Sequence, residues 1–218
     1  EREAAVRDEF PFLPGVPVIG TVGRLTRQKG HGVLIQALPF IAEVFPRVKA
    51  VFVGTGELRA SLERLAGKLG VEEHCVFAGH REDTAGFYPL FDVFALPSLW
   101  EGLPYALLEA MAGACPIVAS GTGGILNTLV PDETGILVPP SDPRALSAAV
   151  VSLLQRPENA KARGRRARHE VATRFKLAAM VTRTGEVYDA LAEGRTAAAT
   201  KTGNGASVVG SMPEDTCQ

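Results

Sequence analysis

The chain has 218 residues, 46% of them hydrophobic and 22% charged, enough to bury a core as one large domain or two small ones. Its 23 basic and 24 acidic residues leave a formal charge of −1, which excludes a general attraction to nucleic acid or anionic membrane. Cys75, Cys115 and Cys217 are widely spaced, with no CxxC pair or His/Cys ligand cluster, so they read as isolated reduced thiols of a cytoplasmic protein. No apolar run approaches the ~20 residues of a membrane helix, and no signal peptide is visible. The first residue is Glu1 rather than Met, which reads as a piece of a longer protein.

In chain order, short runs rich in Val, Ile and Phe alternate with segments of helical character. The strand-like runs are Val16 to Gly23, Val48 to Gly54, His74 to Gly79, Asp92 to Pro97, Pro116 to Ser120 and Thr134 to Val138. Between them, helices are predicted over Gly32 to Phe45, Glu57 to Leu69, Thr84 to Leu90, Pro104 to Gly113 and Gly124 to Val130. The alternation predicts an α/β fold, a Rossmann-like open parallel sheet of about six strands with helices on both faces. Asp142-Pro143 starts a helix over Arg144 to Arg156, followed by helices over Glu158 to Arg174 and Lys176 to Ala192. The basic run Lys161, Arg163, Arg165, Arg166 and Arg168 reads as a solvated helix face. Residues 1–15 read as a linker, 16–193 as the domain, and 194–218, rich in Ala, Gly, Ser and Thr, as a disordered tail.

In such sheets ligands gather beyond the carboxyl ends of the strands, where Gly20 to Gly23, Gly54-Thr55-Gly56 and Gly121 to Gly124 fall. Gly23, Gly54 and Gly56 would permit close backbone approach, although no dinucleotide fingerprint or P-loop is present. Arg24 and Lys29 follow the first strand at a helix start and make a candidate diphosphate clamp, a planar fork beside a compact charge. His80, after Phe77-Ala78-Gly79, is a candidate nucleobase contact. Glu101 and Glu109 flank the start of the Pro104 helix, and at about 1.5 Å per residue their backbones stand roughly 12 Å apart. Two acids that flank one glycosidic bond hold their carboxyls about 5 to 9.5 Å apart, so the pair better suits two hydroxyl-bearing ends of one long ligand.

Taken together these segments resemble a family. Gly23-Arg24-Leu25 with Lys29-Gly30, Val53 to Gly56, Phe77 to Gly79, Asp92 to Phe94 with Leu96-Pro97-Ser98, the E-x7-E pair Glu101 and Glu109, Pro116 to Ser120, Gly123-Gly124 and Thr134-Gly135 occur in the order of the C-terminal, donor-binding half of a retaining GT-B glycosyltransferase, group 1, family 4 type. The resemblance implies that Arg24 and Lys29 hold the donor diphosphate, Glu101 the transferred sugar and Glu109 the ribose. Backbone around Gly102, Leu103, Tyr105 and Ala106 would offer NH groups, and backbone near Phe77 and Gly79 would meet the base. It further implies a nucleotide-diphosphate sugar such as a UDP- or GDP-sugar as substrate, with no cofactor and no catalytic metal. An absent N-terminal domain, needed for full activity, would supply the acceptor site, with a glycan, lipid or small molecule as acceptor. Any peripheral association with the inner face of a membrane would come through that half, toward which the last helix would pack. Asn127 stands where the family commonly has Glu, and Gly32 where Asp is frequent. The alternative is a non-catalytic nucleotide-binding or partner module that kept the half-fold.

Overall fold

A computed structural model describes residues 2–11 and 15–192. The elements are α1 (Arg2–Glu9), β1 (Val18–Val22), α2 (His31–Val44), β2 (Lys49–Val53), α3 (Arg59–Leu69), β3 (Cys75–Gly79), β4 (Val93–Leu96), α4 (Tyr105–Ala112), β5 (Ile117–Ser120), β6 (Ile136–Val138), α5 (Pro143–Gln155), α6 (Pro157–Arg174) and α7 (Leu177–Ala192). Every predicted strand forms. The sheet is wholly parallel in the order β3-β2-β1-β4-β5-β6, so the chain builds outward from β1 and then crosses back to lay β4 on its other side. That reversal opens a crevice between the carboxyl ends of β1 and β4.

Side chains alternate across the strands, as pleating requires. Ile19, Phe52, Val93, Ala95 and Val118 face a core shared with Leu34, Leu38 and Ile41 of α2, Leu62 of α3 and Leu146 and Val150 of α5. Val18, Val51, Phe94, Leu96 and Ile117 face a second core with Val6 of α1, Leu107 and Met111 of α4 and Ala167 of α6. Burial of both strand faces explains why the runs lack polar alternation. Asp142 caps α5, accepting from the Ala145 amide at 2.9 Å, with Pro143 in the first turn.

Two predicted helices are not α-helical. Residues 84–90 form the 3-10 turns Thr84–Gly86 and Tyr88–Leu90, because Gly86 and Pro89 sit in a stretch too short to propagate a helix. Residues 124–130 reduce to the 3-10 turn Gly123–Ile125, and beyond it Thr134 Oγ1 accepts the Val130 amide at 2.8 Å. Within 1–15, read as a linker, α1 forms and buries Val6 completely; Glu9 of that helix pairs with Arg81 at 2.7 Å. The basic run on α6 fastens as well as solvates. Arg163 of the run donates to the Asp132 carbonyl and Arg166 to that of Glu133 at 2.9 Å; beyond the run, Arg174 at the end of α6 donates to that of Asn127 at 2.9 Å.

The chain divides into two units, 1–175 and 176–218. In the second, the described part is helix α7, on which Leu177, Met180, Val181, Tyr188 and Leu191 are exposed. The predicted tail, 194–218, lies outside the described residues. Among the described residues no helix is long and apolar enough to cross a membrane. Burial pushes the thiols of Cys75 and Cys115 up to about 12, so both stay protonated near neutrality; Cys217 lies outside the described residues.

Candidate active site

The loop after β1 and the loop after β4 are joined backbone to backbone over the crevice. The Leu99 amide donates to the Gln28 carbonyl at 2.8 Å, and Gln28 Nε2 donates to the Trp100 carbonyl at 3.1 Å. Gly30, at φ 63°, is the residue just ahead of α2, and a Cβ there would stand 2.0 Å from the Pro97 carbonyl oxygen. Only glycine meets both demands.

This junction brings Lys29 onto Glu101. Lys29 Nζ donates to Glu101 Oε1 at 2.5 Å, and Ser98 Oγ donates to the same oxygen at 2.8 Å. The Glu101 side chain is 5% exposed and that of Lys29 18%, so the charges meet largely out of water, where each depends on the other. Arg24, on the same loop, is exposed, and its guanidinium has no hydrogen-bond or ion-pair partner among the described residues. One cation of the predicted clamp is therefore committed and one uncommitted. His31, the first residue of α2, is buried; desolvation and then the nearby Lys29 charge bring it down to about 4, so its ring is neutral.

The loop after β4 leads through Pro104, extended at φ −75°, into α4. Gly102, Leu103, Tyr105 and Ala106 lie at that helix start, whose first amides lack intrahelical acceptors. Glu109, one turn further along α4, is exposed and accepts from the Tyr88 hydroxyl at 2.6 Å through Oε2. The loop after β5 closes the other side. The Gly124 amide donates to the Glu101 carbonyl at 3.0 Å, and a Cβ on Gly124 would stand 1.4 Å from the Gly102 carbonyl oxygen.

The glycines predicted to admit a ligand are thus engaged with neighbouring loops. The Gly23 amide donates to Val53, the Gly54 amide to Gly79 at 2.7 Å, and a Cβ on Gly56 would stand 2.4 Å from the Leu25 carbonyl oxygen. Phe77 lies in β3, its ring stacked 4.8 Å from that of Phe52, and Gly79 ends that strand with exposed His80 after it. Phe77 and Gly79 lie in the edge strand and His80 follows it, two strands from the β1/β4 crevice. Sequence reasoning gave no role to Gln28 or Tyr88. Ser98 was visible only as part of Leu96-Pro97-Ser98. Among the described residues no group of three or more His, Cys, Asp or Glu could hold a metal ion.

A family model described as glycosyl transferases, group 1, matches residues 4–170. The chain belongs to this family of glycosyltransferases. Among curated relatives, a GDP-mannose-dependent alpha-(1-6)-phosphatidylinositol monomannoside mannosyltransferase of Mycolicibacterium smegmatis is 35% identical over 178 residues, 78% of this chain and 46% of that protein. A Mycobacterium tuberculosis glycogen synthase is 34% identical over 192 residues, 85% of this chain and 46% of that protein. This glycosyltransferase chain spans about half the length of the curated relatives it matches. Among solved structures, a sucrose-phosphate synthase of Thermosynechococcus elongatus superposes with a TM-score of 0.77 at 30% identity, over 88% of this chain and 49% of that one. The C-terminal domain of a group 1 glycosyl transferase from Francisella tularensis superposes with a TM-score of 0.70 at 24% identity, over 81% of this chain and 94% of that one. The Rossmann-like six-stranded parallel sheet matches the fold of GT-B glycosyltransferase neighbours.

Proposed function

We propose that this chain is the donor-binding half of a retaining glycosyltransferase that takes a nucleotide-diphosphate sugar without a metal cofactor and reaches full activity only with an N-terminal acceptor domain. The observation that supports the reading is the Lys29–Glu101 bridge, a cation suited to phosphate beside a carboxylate suited to sugar hydroxyls at the β1/β4 crevice. In this reading Arg24 and Lys29 hold the diphosphate, Glu101 the transferred sugar and Glu109 the ribose. The backbone of Gly102, Leu103, Tyr105 and Ala106 lines the path between them, with the base toward Phe77, Gly79 and His80.

The reaction breaks the bond between the anomeric carbon and the diphosphate oxygen and forms one from that carbon to an acceptor oxygen, whose proton leaves with the departing phosphate. Negative charge grows on the diphosphate, where the two cations and the helix-start amides stabilise it, and no protein nucleophile is required. Glu101 orients the sugar and faces the positive character at the anomeric carbon. Kinship with a GDP-mannose-dependent enzyme makes GDP-mannose the first donor to test, and a solved neighbour, Anabaena HepE, was crystallised with UDP-glucose. Calorimetric titration with GDP, UDP, GDP-mannose and UDP-glucose tests the reading. Saturable binding of at least one pair, unchanged by EDTA, is expected, and binding of none would refute it.

A further inference from the structure

Glu109 is an exposed glutamate on a helix, and such a side chain ordinarily samples several rotamers that a ligand must freeze. Here a buried phenol reaches it from beneath. Tyr88 is 3% exposed, with its ring 5.9 Å from that of Phe91 and 5.8 Å from that of Phe94. Its backbone carbonyl accepts from Cys115 Sγ at 3.2 Å, and Gly113 leaves room beside its Cβ, where an added Cβ would stand 3.1 Å away. The hydroxyl stands 2.6 Å from Glu109 Oε2 and 3.4 Å from the Ala106 carbonyl oxygen. Burial first, and then the hydrogen bond to Glu109 and its charge, hold the phenol protonated far above the ordinary tyrosine range, so it is a donor near neutrality. Glu109 Oε1 has no partner among the described residues.

We infer that Tyr88 is a positioning residue for the ribose site: its hydroxyl holds Glu109 Oε2 so that the other carboxylate oxygen is presented to a ribose hydroxyl. The inference rests on the reading of Glu109 as the ribose residue. Tyr88 touches no substrate itself. Its contribution is to spare the ligand the ordering of a flexible side chain, as an outer hydrogen bond orients a ligating group.

Calorimetry on the 218-residue chain with GDP and UDP, each beside its 2′,3′-dideoxy counterpart, tests it. Wild type should prefer the ribose form of the nucleotide it binds, and Glu109→Ala should abolish that preference. Tyr88→Phe should reduce it by about 3- to 10-fold, the scale of one neutral hydrogen bond, while leaving dideoxy affinity unchanged. In the Glu109→Ala background Tyr88→Phe should do nothing further to the ratio. A Tyr88→Phe chain that keeps the wild-type ratio while Glu109→Ala loses it would overturn the role of Tyr88 alone. Equal weakening of both nucleotide forms by Tyr88→Phe would mark a purely structural residue and overturn it too. A wild type with no ribose preference, or one that binds neither nucleotide, would bring down the reading of Glu109 and the inference with it.

Discussion

Arg24 and Lys29 carry the same charge and stand five positions apart, yet their removal should have different consequences. Arg24 is uncommitted, so Arg24→Ala should weaken nucleoside diphosphate binding by about 1.5 to 3 kcal/mol, measured by calorimetry, with little change in melting temperature. Lys29 balances a carboxylate that is 5% exposed, and Lys29→Ala should weaken binding on the same scale and also cost about 1 to 3 kcal/mol of folding stability in urea titration. His31 gives a pH signature. Its folded value of about 4 lies below its ordinary 6.5, so the unfolded chain takes up a proton first as pH falls. Stability should therefore drop between pH 6.5 and 4 by roughly 3 kcal/mol from this residue, and His31→Leu should remove that part of the slope in parallel urea titrations. At this scale the sequence disclosed the types of Arg24, Lys29, Glu101 and Glu109. Tyr88 and Gln28 were illegible because their partners lie 21 and 72 positions away, and no local pattern encodes such a meeting.

Among the elements, strands were the most legible. Both faces of β1, β4 and β5 and nearly all of β2 are buried, so these strands print largely apolar runs such as Val51 to Val53, followed by Gly54. Turns 84–90 and 123–125 were misread because helical spacing over seven residues cannot be told from a chain folded by its neighbours. The glycine junctions do fall at the carboxyl ends of the strands, but their requirement comes from close backbone approach between neighbouring segments. Gly124 is the sharpest case: any side chain would collide with the Gly102 carbonyl. Gly124→Ala should displace the Glu101 loop, lower stability by about 1 to 3 kcal/mol, and weaken nucleotide-sugar binding, read by thermal melting and calorimetry together. The arginines of α6 teach the converse. A run read from composition as a solvated face contributes Arg163 and Arg166 to loop carbonyls of Asp132 and Glu133, because a helix face adjoins a loop that no sequence window contains.

Across the whole molecule, strand order is what turns scattered motifs into a site. The return of the chain to place β4 against β1 is a tertiary event, and it brings residues 72 positions apart within 2.5 Å. The bridge so made has a consequence for turnover if the donor diphosphate is held as proposed. Lys29 is not a bare cation: Glu101 is its counterion, and a departing nucleoside diphosphate held there would have to share Lys29 with it. Affinity is thereby given up on the product side. Glu101→Gln, which keeps the shape and removes the charge, should make the nucleoside diphosphate a stronger product inhibitor while lowering turnover, and an unchanged inhibition constant would show that the carboxylate does not compete. A carboxylate that faces the sugar before the bond breaks would then help eject what remains after it.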